Sequence, residues 1–159
     1  MLPITDFTVA GWEDFVQGKS VLELGNMGLT DENIVGLASV LKNNATIRKI
    51  DLRQNKITVV GATLFADALR INRYIASNPV ADTHALKFTG NSIGKDGLFA
   101  LVKAFDETGR MMHCLLLGNI GVTDEEAEEL SKTPEVIRVC EATKEFQNAL
   151  HPDGDCVLF

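Results

Sequence analysis

Apolar residues recur at two different spacings within one stretch of the chain. Ile50 and Leu52 alternate with charged neighbours, which is the pattern of a short strand with one buried face. Further along, the apolar positions follow helical spacing, at Ala62, Phe65, Ala66 and Leu69. The stretch therefore predicts a strand, a turn and a helix in that order.

The same stretch occurs four times. LELGNMGLTDENIVGLASVL, from Leu22, aligns with IDLRQNKITVVGATLFADAL, from Ile50, at an offset of 28 residues. A third copy begins 36 residues later at Leu86, and a fourth begins 29 residues after that at Leu115. The longer offset places an insertion within 72–85. We expect the units to stack, because one strand and one helix cannot bury their apolar faces alone.

The four units resemble the leucine-rich-repeat family. Its L-x-L-x-x-N signature is met by Ile50, Leu52 and Asn55, and again by Leu86, Phe88 and Asn91. The spacing is similar to that of the ribonuclease-inhibitor subclass. The resemblance implies an α/β fold: a right-handed solenoid with a concave parallel sheet and convex helices, with about four repeats plus terminal caps. It also implies hydrogen bonds from the signature Asn to the backbone between turns, although the first and fourth units have Asn26 and Asn119 one position earlier.

A single domain over 1–159 is predicted. An amphipathic N-terminal cap occupies 1–20, the repeats occupy 21–47, 48–83, 84–112 and 113–133, and 134–159 hold a terminal strand, a helix and a tail. The terminal strand is predicted at Val136–Cys140, because this run is mostly apolar and β-branched. Ala142, Phe146 and Leu150 then follow at helical spacing.

The charge and cysteine content narrow the class of partner. The net charge of −7 disfavours a nucleic-acid backbone or an anionic membrane, because both attract clustered Lys and Arg. Three cysteines at no repeated spacing suit a reducing compartment, so we predict a cytoplasmic or organelle-associated protein. The terminal Cys156-Val157-Leu158-Phe159 fits a prenylation box, which would bring the chain to a membrane. It also fits a strand added to a partner's groove, or an apolar tail folded onto the repeats.

The sequence predicts no catalytic, cofactor or metal site, and hence no enzyme. The three histidines show no metal-ligand spacing, and no glycine-rich phosphate loop follows a strand. His113 and Cys114 are adjacent, but neighbours on a strand point to opposite faces. Cys114 and Cys140 would lie on neighbouring strands, where they form either a redox-dependent bridge or two structural thiols.

The outward positions of the strands give a candidate protein-binding face, since the strand leucines point inward. One row holds Glu23, Asp51, Lys87, Leu116 and Arg138, and the next holds Gly25, Arg53, Thr89, Gly118 and Cys140. The predicted partner-binding residues are Glu23, Asp51, Arg53, Lys87, Thr89, Leu116 and Arg138. The alternative interpretation is that these charges only pair with one another. The inserted connection, with Tyr74 and His84, is either a binding loop or a tolerated insertion.

These features together favour a non-enzymatic adaptor or scaffold that binds a protein partner through the concave sheet or the adjacent turns. One alternative is a regulator of an enzyme, such as an inhibitor or a small-GTPase regulator, which the family resemblance also allows. A further alternative is a cytoskeletal capping protein similar to the tropomodulin repeat domain. The identity of the partner and the oligomeric state are left open.

Overall fold

Strands and helices alternate along most of the chain in the computed structural model, which describes residues 4–82 and 84–150. The helices are α1 Val9–Val16, α2 Asp31–Asn43, α3 Val59–Ile71, α4 Gly94–Thr108, α5 Asp124–Ser131 and α6 Pro134–Leu150. The strands are β1 Val21–Glu23, β2 Lys49–Asp51, β3 Leu86–Lys87 and β4 Leu115–Leu116, the last preceded by a 3₁₀ turn at Met112–Cys114. The strand, turn and helix order predicted for the repeated stretch is present.

The four strands form one parallel sheet in chain order. Leu22 lies beside Ile50, Ile50 beside Leu86 and Leu86 beside Leu115, so the aligned apolar positions of the repeat share one row. These residues belong to a continuous buried cluster with apolar residues of α2, α3 and α4. Burying a leucine or isoleucine of this kind contributes about 1.5–3 kcal/mol, which is why the repeat period is kept in the strands.

The turn after each strand contains a residue with positive φ at the same position of the repeat. These residues are Asn26 at 56°, Gln54 at 56°, Gly90 at 78° and Asn119 at 48°. Gly and Asn adopt this left-handed conformation with little strain. The backbone amides of the first two also bond the next unit's turn: Asn26 N donates to Arg53 O at 2.8 Å, and Gln54 N donates to Thr89 O at 2.9 Å. Asn26 and Asn119, which stand one position before the signature position in the first and fourth units, therefore supply the positive-φ residue of the turn.

The signature Asn of the second unit is buried and joins two turns. Its Oδ1 accepts hydrogen bonds from the amides of Met27 at 3.1 Å and Leu29 at 2.9 Å, and Asn55 Nδ2 donates to Leu24 O at 2.8 Å. Asn91 makes equivalent bonds from the third unit back to the second. Both side chains satisfy turn amides and carbonyls that would otherwise be buried without partners.

Helix α1 packs against α2 at the N-terminal end of the helix layer. Trp12 is fully buried, and its Nε1 donates to Asn33 O of α2 at 2.9 Å. The two helices approach closely because α2 has Gly36 at the contact, where an added Cβ would lie 2.6 Å from Phe7 O and 2.8 Å from Trp12 Cδ1. The side chain of Trp12 thus fills the space that Gly36 leaves.

The C-terminal segment differs from the sequence prediction. Val136–Cys140 lies inside α6, so the predicted terminal strand is wrong, and the sheet of the described residues ends at β4. Pro134 is favourable in the first turn of a helix, and buried Val136, Val139 and Thr143 follow helical spacing. The helix packs against α4 because this face is apolar.

Candidate functional site

The outward positions of the first three strands form one row on the exposed side of the sheet. Glu23 lies beside Asp51, and Asp51 lies beside Lys87, as the repeat alignment predicts. The backbone of Leu116 continues the row on β4. We call Glu23, Asp51, Arg53, Lys87 and Thr89 the exposed sheet face.

Asp51 is the electrostatic centre of the exposed sheet face. Arg53 holds its carboxylate with two atoms, since Nε lies 3.0 and 2.9 Å from the two oxygens and Nη2 lies 2.6 Å from Oδ2. Lys87 Nζ is 3.8 Å from Oδ2 on the other side. The Asp51 side chain is 14% exposed, whereas the Arg53 side chain is 47% exposed and remains available to a partner.

The charge state of this group follows from its surroundings. Partial burial by itself raises the pKa of the Asp51 carboxyl, but hydrogen bonds from the Arg53 side chain and backbone, with the charges of Arg53 and Lys87, outweigh it. The pKa of Asp51 therefore lies below its usual range. The hydrogen bond with Asp51 also raises the pKa of Arg53. Asp51, Arg53 and Lys87 consequently form a fixed set of one partly covered negative group and two positive groups, and Glu23 adds a second negative group beside Asp51.

Two shallow hollows flank Asp51 on this side of the sheet. One is lined by Glu23, Gly25, Arg53, Gln54 and Thr89, and the other by Val21, Lys49, His84 and Lys87. Lys49 and His84 were not among the residues predicted for this face. Lys49 was detectable, because it stands two residues before Asp51 and therefore points to the same side of β2.

Arg138 does not join this face, so its assignment to the row is wrong. It lies on α6, where its Nη2 is 2.7 Å from Asp106 Oδ2 of α4.

Cys140 is also on α6 rather than on a strand beside Cys114, so the two cysteines are not cross-strand neighbours. Cys114 is buried in the 3₁₀ turn, and burial raises the pKa of its thiol to about 11, which keeps it protonated. The lipidation candidate Cys156 lies outside the described residues.

His113 has a structural environment. It stands in the 3₁₀ turn rather than on a strand, its Nε2 is 2.7 Å from Pro79 O, and its ring stacks on Phe146. Within 4–82 and 84–150, no group of three His, Cys, Asp or Glu residues is placed to hold a metal ion. No helix in these ranges is long and apolar enough to cross a membrane.

The inserted connection is fastened by two polar side chains that were not predicted from the sequence. Asn72 Nδ2 donates to Leu41 O at 2.6 Å, and its Oδ1 accepts from the amides of Tyr74 and Ile75. The second is Arg110, which is buried and donates to backbone carbonyls at the end of α3 and in the connection. A signal existed for Asn72, because Asn44 stands 28 residues earlier and accepts the equivalent amide bonds in the first unit.

Comparison with known proteins supports a leucine-rich-repeat protein. A leucine-rich-repeat family model matches residues 43–66. A search of curated protein sequences gave no match. Among solved structures, the chain is similar to Leiomodin-1 Actin-Binding Site 2, with a TM-score of 0.63 and 16% sequence identity. The match covers 91% of this chain and 92% of the other. At this identity the likeness shows the fold alone, and this fold is consistent with the leucine-rich repeat matched at residues 43–66.

Proposed function

We propose that the chain is a protein-binding module, an adaptor or scaffold, whose exposed sheet face engages a protein partner. In this proposal the chain is a right-handed solenoid of four ribonuclease-inhibitor-type repeats, and the exposed sheet face is its concave side. The observation that carries the proposal is the Arg53–Asp51–Lys87 ion set, which stands in register on the outward side of the sheet. Such a set is fixed before binding, so a partner would meet a preorganised charge pattern.

The dimensions of the face suit a small partner element. Neighbouring strands lie about 4.8 Å apart, so four strands span about 14 Å, the width of one helix or one loop. Arg53 stands near the centre, and arginines in central positions contribute strongly to many protein interfaces. Glu23 and Lys87 lie on either side of Asp51, Thr89 belongs to the same face, and the backbone of Leu116 continues the row on β4. We expect a partner with an acidic group opposite Arg53.

The test compares the unaltered chain with a variant in which the charges at positions 51, 53 and 87 are reversed. The triple variant Asp51→Lys, Arg53→Glu and Lys87→Glu reverses the sign of these three charges and so allows both ion pairs to form again, and the fold should be retained. A matched control, Lys103→Glu, reverses an exposed charge on α4 instead. A partner is first captured with the unaltered chain and identified, and its affinity for each variant is then measured by titration calorimetry.

The expected result is a loss of at least tenfold in affinity for the triple variant and no change for Lys103→Glu, since about 1.4 kcal/mol corresponds to a factor of ten. Equal affinities for the unaltered chain and the triple variant would exclude the exposed sheet face as the binding site. Circular dichroism of the variants separates a binding defect from unfolding.

A second candidate is binding to actin, with a cytoskeletal location. The observation that favours it is the similarity to the leiomodin-1 domain, which is named for an actin-binding site and which the chain matches over nearly its full length. Cosedimentation with filamentous actin, together with the effect on actin polymerisation, tests this candidate. Saturable cosedimentation would support it, whereas an unbound chain and unchanged polymerisation kinetics would contradict it.

A further inference from the structure

Residues 72–82 of the connection between α3 and β3 are fixed by packing and hydrogen bonds rather than forming a loose insertion. Ile75 and Ala76 are buried, and Ala76 N donates to Arg48 O at 3.0 Å. Asn72 ties the start of the connection to the end of α2, and Asp82 Oδ2 accepts from Asn78 N at 2.8 Å near its other end. A surface held in this way loses little conformational entropy when a partner binds.

Arginines collect along one side of this connection. Arg70, Arg73 and Arg110 line a single polar hollow with Ser77 and Thr108. Arg70 is neutralised by Asp67 and Glu107, and Arg110 donates to backbone carbonyls. Arg73 is exposed, and among the described residues no carboxylate forms an ion pair with it. The hollow therefore presents a guanidinium without a counter-charge, in a chain whose net charge is −7.

Exposed apolar side chains adjoin these arginines in the sequence. Ile71 is 55% exposed and Tyr74 is 43% exposed, so both side chains are accessible to a partner. The guanidinium of Arg48 lies 4.7 Å from the centre of the Tyr74 ring, so the ring is held in place by a cation–π contact. Tyr and Arg are among the residue types most enriched at the energetic centres of protein interfaces.

We propose that Arg70, Ile71, Arg73, Tyr74 and Ser77, here called the arginine edge, form a second docking surface for an acidic segment of a partner protein. A carboxylate of that segment pairs with Arg73, and a neighbouring apolar side chain packs on Ile71 and Tyr74. Charge complementarity with the unpaired Arg73 selects an acidic segment over a neutral one. This surface is independent of the exposed sheet face, so either proposal can fail without the other.

Fluorescence anisotropy with the full chain tests the arginine edge. The probe is a fluorescein-labelled peptide, Glu-Glu-Leu-Glu-Glu-Phe-Glu-Glu, and its control is the same peptide with glutamine in place of every glutamate. The variants are Arg73→Glu, Tyr74→Ala, and the matched charge reversals Arg53→Glu on the exposed sheet face and Lys103→Glu on α4. The Arg73 side chain forms no hydrogen bond or ion pair within 4–82 and 84–150, so its variant should fold like the parent.

We expect the unaltered chain to bind the acidic peptide saturably. The affinity should be about tenfold lower for Arg73→Glu, because an attraction is replaced by a repulsion. It should also be lower for Tyr74→Ala and should be unchanged for Lys103→Glu. Amide chemical shifts that move within 70–77 would place the peptide on the arginine edge. The proposal is overturned by three results: no binding to the parent chain, equal binding of the glutamine peptide, or an undiminished affinity of Arg73→Glu. If Arg53→Glu alone weakens binding, the peptide occupies the exposed sheet face, and the arginine edge is again rejected.

Discussion

Replacing Arg110 with methionine should remove the main fastening of the inserted connection. The guanidinium is buried, with the residue 7% exposed. Its Nε donates to Ile75 O at 2.8 Å, Nη1 to Leu69 O at 2.9 Å and Nη2 to Asn72 O at 2.6 Å. Burial lowers the pKa of Arg110 to about 10, so the side chain is charged at neutral pH and its hydrogen bonds are charge-assisted.

The size of the stability loss in Arg110→Met follows from the backbone carbonyls that lose their hydrogen-bond donor. Methionine has a similar length but no donors, so three carbonyls at the end of α3 and in the connection lose their partner. Each buried carbonyl without a partner costs about 1–3 kcal/mol, and relief from burying the charge offsets part of the sum. We expect the free energy of unfolding to fall by about 3–5 kcal/mol, which is the summed cost of the three carbonyls after this offset.

Urea unfolding followed by circular dichroism measures this change. At a slope of about 1–3 kcal/mol per molar urea, Arg110→Met should lower the midpoint by more than about 1 M. Arg110→Lys should be intermediate, because an ammonium cannot reach three carbonyls in different directions. Arg73→Met, at an exposed position of the same hollow, should stay within about 0.5 kcal/mol of the parent. A loss below about 1 kcal/mol for Arg110→Met would refute the reasoning.

Three other substitutions test separate parts of the structure. Gly36→Ala should lower the free energy of unfolding by about 1–3 kcal/mol, because the added Cβ would lie 2.6 Å from Phe7 O. The fluorescence of the single tryptophan should report the altered contact of α1 with α2. An unchanged melting temperature would contradict this close packing. Asn55→Ala should lower the free energy of unfolding in urea by about 2–4 kcal/mol, since it leaves the Met27 and Leu29 amides without their hydrogen bonds. A loss below about 1 kcal/mol would contradict the role of Asn55 in joining the two turns. The pKa of Asp51 is lowered in the folded state, so the stability that its carboxylate contributes is present at neutral pH and is lost as the pH falls below about 4. Asp51→Asn should therefore be less stable than the parent at pH 7, by less than about 1 kcal/mol, and should lose less stability on acidification. Parallel pH profiles of stability for the two chains would exclude this contribution of Asp51.

The repeats explain why much of the fold was predictable. Each strand and helix signal occurs in several aligned copies, so the register of Leu22, Ile50 and Leu86 follows from the sequence alone. The run Val136–Cys140 had no such support. A short apolar run fits a strand or a buried helix equally well, and here packing against α4 selects the helix.

The candidate site was predictable only where it follows from strand alternation. The outward row of Glu23, Asp51 and Lys87 follows from the period of two, whereas Arg138 was misplaced because it depended on the incorrect strand. Arg110 could not be found in this way. Its acceptors are carbonyls of residues 35 to 41 positions earlier, and backbone acceptors leave no signal in the side-chain sequence.

The most direct test of the central claim is a chemical-shift titration of the isotope-labelled chain with its captured protein partner. We predict that the largest amide shifts and line broadening occur on the exposed sheet face, at Glu23, Asp51, Arg53 and Lys87, and that Arg53→Glu abolishes them at the same partner concentration. Shifts confined to the helices, with the strand residues unmoved at saturation, would contradict a partner site on the sheet.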